Sequence, residues 1–205
     1  MAQVLEFEPV AAPAPGQETP SHRRIRWASR VLSLLFAAVF VLDVLFVAAL
    51  GSAFLVPYAG EHLTIGPKGM MLNFGPAQGG GLGYVPVGSL PLLQRLAHVA
   101  MGVVVFVPGL LLLWSLQRLF GLYGRGVVFS EANARLIKLI GVWLVLNALA
   151  PLVSVSVLSA LHLVVDHAWF HADTIPKIVL GGVVYVIGMV MEVGRQIEEE
   201  QGQFV

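Results

Sequence analysis

Four stretches of the chain are almost continuously apolar: residues 31–56, 97–116, 136–160 and 175–194. Crossing the hydrocarbon core of a bilayer takes about 20 residues of helix. Inside that core only helices and closed barrels satisfy the backbone hydrogen bonds. None of the four runs alternates with the two-residue period of a barrel strand, and each is longer than the about 9–11 residues such a strand needs. The pattern therefore predicts an all-α membrane protein, a four-transmembrane-helix bundle. The fourth run is short and reaches spanning length when Glu192 and Arg195 sit in the headgroup layer.

Between the first two runs the pattern changes. His62–Ile65 and Met70–Phe74 flank the turn-like sequence Gly66-Pro67-Lys68-Gly69. This predicts a small β-hairpin-like outer loop between helices 1 and 2. The glycine run Gly79–Gly83 reads as a flexible connection, because no Gly-Lys-Ser/Thr follows that would make it a phosphate cradle. At the ends, residues 1–24 read as a flexible cytoplasmic tail and 196–205 as an acidic cytoplasmic tail around a 25–195 transmembrane domain. The first run reads as a retained anchor. Glu6, Glu8 and Glu18 precede it, and it exceeds the about 7–15 apolar residues of a signal peptide.

Composition supports membrane insertion. The 205 residues are 57% hydrophobic and 12% charged, against about 25% charged in soluble domains. The formal net charge is zero, which argues against direct nucleic-acid binding. With no cysteine, disulfides, thiolate zinc sites and iron–sulfur clusters are excluded. The distribution of the 12 Lys and Arg residues gives orientation. Arg23, Arg24, Arg26 and Arg30 precede the first run. Arg118, Arg125, Arg135 and Lys138 surround the link between the second and third, and Arg195 follows the fourth. Only Lys68, Arg95 and Lys177 fall on the opposite side. The positive-inside rule then places both termini and the middle link in the cytoplasm.

Polar residues inside the spans are expensive and serve as functional candidates by default. Asp43 lies about 12 residues into the first span and Asn147 about 11 into the third, so at about 1.5 Å per residue they share a depth. Tyr185 and Glu192 belong to a small and polar stripe with Gly181 and Gly188 on the fourth. The plain expectation is a packed four-helix interior in which Asp43 hydrogen-bonds Asn147 or Tyr185; the sharper one is a proton or ion relay. Arg95 and His98 are expected to reach the headgroups. Glu192 and Arg195, three apart on a helix, are expected to pair.

One cluster has metal chemistry. His162 and Asp166 are four apart, as are His167 and His171, so each pair can meet on a helix. Imidazole with carboxylate can hold zinc or another divalent ion, with Glu61, His62 and Asp173 nearby in the outer loops. The spacing matches no strong zinc signature. Leu161, Val164, Val165, Ala168 and Trp169 share the opposite face, and a solvated interfacial helical turn explains the polar residues equally. No cofactor is expected beyond that divalent ion.

In the middle link, Gly124 and Gly126 permit a tight turn, Ser130 suits an N-cap, and Glu131 suits the positive end of the following helix. The stretch Gly126–Gly141 contains Gly126, Phe129, Ser130, Asn133 and Arg135 ahead of a basic helix start. It resembles a motif of an uncharacterised bacterial membrane family, domain of unknown function 2975. The four-span layout, the outer loop with strand character and the glutamate-rich end are similar to that family too. The resemblance implies a bacterial cytoplasmic (inner) membrane location and no established activity. It also implies small helix-turn-helix regulators as partners.

No nucleophile–base pair is visible, so the chain is not expected to be an enzyme. Three classes stay open. The leading one is a non-catalytic sensor, regulator or assembly partner acting through contacts within a homo-oligomer or with another membrane or cytoplasmic protein. The others are a small transporter or ion-coupled protein using Asp43, and a metal-binding protein at the membrane surface.

Overall fold

Each apolar run is the middle of a longer helix. The computed structural model describes residues 20–56, 62–66, 69–72, 85–127, 130–162 and 174–202. Helix α1 spans Pro20–Leu55, α2 Leu92–Gly124, α3 Glu131–Ala160 and α4 Thr174–Gly202. All four are long and apolar enough to cross a bilayer. They also outrun the expected spans. The last residues of the expected N-terminal tail, from Pro20, are helical, and α4 continues through most of the expected acidic tail. A proline at the first helical position costs nothing, because its missing N–H would have had no helical partner.

The ends of α3 follow from local chemistry. The Ser130 hydroxyl accepts a hydrogen bond from the Asn133 backbone N–H at 3.2 Å, as an N-cap should, and Glu131 lies in the first turn. At the other end His162 adopts φ +56°, and its N–H bonds to the Ser159 carbonyl. That left-handed residue closes the helix. Of the expected interfacial turn over 161–169, only Leu161 and His162 belong to the described residues.

Side-chain pairs set the antiparallel register of α1 and α2. Phe36 stacks on Phe120 with centroids 5.5 Å apart, Phe46 meets Phe106 edge-on at 6.2 Å, and Phe54 stacks on the His98 ring at 5.9 Å. The Ser33 hydroxyl donates to the Gln117 carbonyl at 3.2 Å. Beyond this pair, α3 packs on α2 and α4 packs on α3, with no comparable packing of α1 on α3 or α4, or of α2 on α4. The helices thus form a row in chain order. The four helices of the expected bundle are present, each packed on the next.

The apolar surface of the row points outward. None of the most apolar stretch of α1 or α2 is buried, and Leu42 on α1 and Val190 on α4 are each 64% exposed. Such surface is unfavourable in water but matches lipid. Buried positions concentrate on α3, the helix with neighbours on two faces, where Ala134, Ile137, Ile140, Ala148, Ala150 and Leu158 are enclosed.

The expected hairpin is present: β1 (Leu63–Gly66) pairs antiparallel with β2 (Gly69–Leu72), Gly66 opposite Gly69. A third strand that the sequence pattern had not suggested, β3 (Val85–Pro86), pairs with the other edge of β1. A 3₁₀ turn over Val87–Ser89 follows it. Leu63 and Val87 are buried against Phe54 near the end of α1, with Leu50, Ala53 and Val99 around them. This cluster seats the sheet on the α1–α2 pair at the end of these helices opposite the α2–α3 link.

Candidate functional site

The register of the row tests the grouping of Asp43, Asn147 and Tyr185. The aromatic pairs place Asp43 opposite about Gly109 on α2. A Cβ built on Gly109 would sit 3.3 Å from the Asn147 Oδ1 atom of α3. Asp43 and Asn147 therefore do share a level. They do not meet, because α2 lies between α1 and α3. Asp43 is exposed on α1 and has no hydrogen-bond or ion-pair partner among the described residues. Tyr185 is also displaced. It packs at Gly141, six residues along α3 from Asn147, or about 9 Å along the axis at 1.5 Å per residue. The expected hydrogen bond from Asp43 to Asn147 or Tyr185 is thus replaced by an unpartnered carboxyl on an outward face.

The α3–α4 seam is built on glycine. A Cβ on Gly141 would lie 2.6 Å from the Gly181 carbonyl oxygen and 2.7 Å from the Tyr185 backbone nitrogen. On Gly188 it would lie 2.7 Å from Lys138 Cγ and 2.9 Å from the Lys138 backbone nitrogen. Small residues let the two backbones touch, which is how helices associate where lipid removes the hydrophobic driving force. The close approach brings Lys138 Nζ to 2.7 Å from Glu192 Oε2, with both side chains partly shielded. Glu192 is thus tied across the seam to Lys138, and Arg195, three residues on along its own helix, adds a weaker electrostatic attraction. A lysine on a neighbouring helix cannot be found from spacing within one helix.

The link between α2 and α3 gathers most of the expected motif. After α2, Gly126 takes φ +84°, a conformation that costs glycine little and other residues much. The N–H groups of Gly126 and Val127 return to the carbonyls of Tyr123 and Leu122. Asn133 is fully buried, and its Nδ2 donates to the Val127 carbonyl at 2.8 Å. Asn133 and Ser130 thus fasten the start of α3 to the chain leaving α2. Arg135 is exposed on the other side of the helix. Phe129 lies outside the described residues.

An open cleft of about 1070 Å³ runs between these two helix ends. Arg118 and Arg125 of α2 and Arg135 of α3 line it, together with Glu131 and, deeper, Trp114 and Leu139. The Arg118 guanidinium lies over the Trp114 ring, 4.7 Å from its centroid. Among the described residues, none of the three arginines has a carboxylate partner. Along the sequence these arginines mark orientation; only the fold brings them around one cleft. The signal was available, since Trp114, Arg118, Leu122 and Arg125 recur at helical spacing on one stripe of α2.

At the opposite end, Arg95 and His98, both half-buried, contact the end of α1. The Arg95 Nη1 donates to the Phe54 carbonyl at 3.5 Å, a long contact at the negative end of α1. His98 Nδ1 lies 2.8 Å from the Gln94 carbonyl, and its ring is stacked on Phe54. Glu61, Asp166, His167, His171 and Asp173 of the expected metal cluster lie outside the described residues. Among the described residues no three His, Asp or Glu side chains converge. Comparison with known proteins returns no matching family model, no matching curated protein and no matching solved structure.

Proposed function

We propose that this chain is a multi-pass bacterial inner-membrane protein that acts without catalysis, as a sensor, regulator or assembly partner working through contacts with a neighbouring transmembrane helix. On this reading it belongs with the family that Gly126–Gly141 resembles, domain of unknown function 2975. The observation that carries the proposal is Asp43, exposed and unpartnered on the outward face of α1. An aspartate at the centre of a membrane helix costs about 2.5–3.5 kcal/mol on insertion scales. A hydrogen-bond donor on a neighbouring helix offsets part of that cost, and lipid offers none.

The chain has no cysteine, so a single one is a clean probe. Leu42→Cys, next to Asp43, is expected to cross-link to a helix of a second copy or of another protein in native membranes. Adding Asp43→Leu is expected to remove most of that product. Equal cross-linking with and without the acid would defeat the proposal, as would no product at all. Proton flux in proteoliposomes that depends on Asp43 would favour the relay instead.

The orientation within this proposal places both termini and the Gly121–Arg135 link in the cytoplasm, on the arginine distribution. Reporter fusions after Val205 and within the loop near Gly80 are expected to read opposite sides of the membrane, with Val205 cytoplasmic. A periplasmic reading at Val205 would reject it.

A further inference from the structure

The arginine-lined cleft between α2 and α3 is polar at its mouth and apolar at its base. Arg118, Arg125 and Arg135 present three guanidinium groups against one carboxylate, Glu131, and none of the four is used in an ion pair among the described residues. Guanidinium groups bind phosphate oxygens in pairs through their planar forks. Trp114 and Leu139 line the same cleft at positions farther into their helices. From Arg125 to Trp114 is about 16 Å at 1.5 Å per residue. Charge therefore gives way to apolar surface over the distance separating a phospholipid headgroup from the upper part of its acyl chains. The volume, about 1070 Å³, lies just above the range of about 300–1,000 Å³ usual for ligand sites. Its opening between two helices at one end of the row leaves it accessible to an amphiphile from the side.

We infer that this cleft is a binding site for an anionic phospholipid, with the phosphate held by Arg118, Arg125 and Arg135 and an acyl chain laid on Trp114 and Leu139. A basic pocket between transmembrane helices on the side rich in arginine has the chemistry for such headgroups. The Trp114 ring beneath the Arg118 guanidinium holds that side chain over the apolar base, so one residue touches both parts of the ligand. The Ser130 cap and the Asn133–Val127 bond keep the two walls of the cleft together. The inference concerns a different surface from Asp43 and does not depend on the proposal made for it.

The test uses the full chain in detergent, with thermal shift and native mass spectrometry as readouts. Phosphatidylglycerol is expected to raise the melting temperature and to be retained as a one-to-one adduct. Phosphatidylcholine, inorganic phosphate and glycerol phosphate are expected to do neither. Replacing Arg118, Arg125 and Arg135 together by glutamine should weaken phosphatidylglycerol binding by about tenfold or more, while replacing Arg23 and Arg24, outside the cleft, should not. Glu131→Gln, which keeps all three arginines, should tighten binding. The site is refuted by equal retention of phosphatidylcholine, by unchanged binding in the triple variant, or by weaker binding in Glu131→Gln. Stabilisation by inorganic phosphate equal to that by lipid would overturn the lipid assignment.

Discussion

Replacing Gly141 with alanine is expected to force α3 and α4 apart, with a stability loss of about 3 kcal/mol, at the upper end for overpacking. The added methyl carbon would fall 2.6 Å from the Gly181 carbonyl oxygen, 2.7 Å from the Tyr185 nitrogen and 2.9 Å from the Tyr185 Cα. All three are backbone atoms, so no rotamer change relieves the clash. Gly181 faces the same seam from the other helix. A Cβ there would meet Val145 Cγ2 at 2.7 Å and the Gly141 carbonyl at 2.8 Å. Separation would also break the Lys138–Glu192 pair, whose 2.7 Å contact depends on the same close approach at Gly188. Unfolding of the purified protein in detergent measures the loss. The internal control is Gly182→Ala, on the same helix as Gly181 but with nothing within 4 Å of the added carbon. It should be neutral or slightly stabilising, since alanine is the better helix former. If the two alanine variants unfold at the same temperature, the seam is not the close contact described.

The second large effect is expected at Asn133, where alanine should cost about 1–3 kcal/mol through a lost bond and an uncompensated polar group. The Asn133 side chain is fully buried and donates to the Val127 carbonyl at 2.8 Å. That bond joins the first turn of α3 to the chain emerging from α2 just past Gly126. Without it the two helices lose a fixed angle of departure, and the link becomes a better protease substrate. Asn133→Asp tests the chemistry separately from the volume. It keeps the size but loses the Nδ2 donor and sets an acceptor against the Val127 carbonyl, so it should be at least as unstable as alanine. Melting temperature and limited proteolysis of the link report the two consequences. An aspartate variant as stable as the natural protein would show that the donor contributes nothing.

Much of this molecule was legible along one dimension. The four apolar runs located the four helices, because crossing length and missing charges are local properties of a segment. Gly66-Pro67-Lys68-Gly69 located the hairpin, and Ser130 with Glu131 located the start of α3, since turn and cap chemistry acts over a few residues. The level of Asp43 with Asn147 also followed from counting residues along two helices.

Which face of each helix meets which neighbour was decided only in three dimensions. In water an apolar stripe points to the core, so periodicity reports rotation. Against lipid, both the packed and the outward faces of a helix are apolar, and that contrast fades. Rotation is then set by steric fit, of backbone on backbone where Gly141 meets Gly181 and of side chain on backbone where Asn147 meets Gly109. That fit turned Asp43 outward, put α2 between it and Asn147, tied Glu192 to Lys138 across the seam, and drew Arg118, Arg125 and Arg135 around one cleft. A residue's depth follows from its place in the chain, but its neighbours depend on side chains far away in sequence, through steric contacts that no single segment encodes.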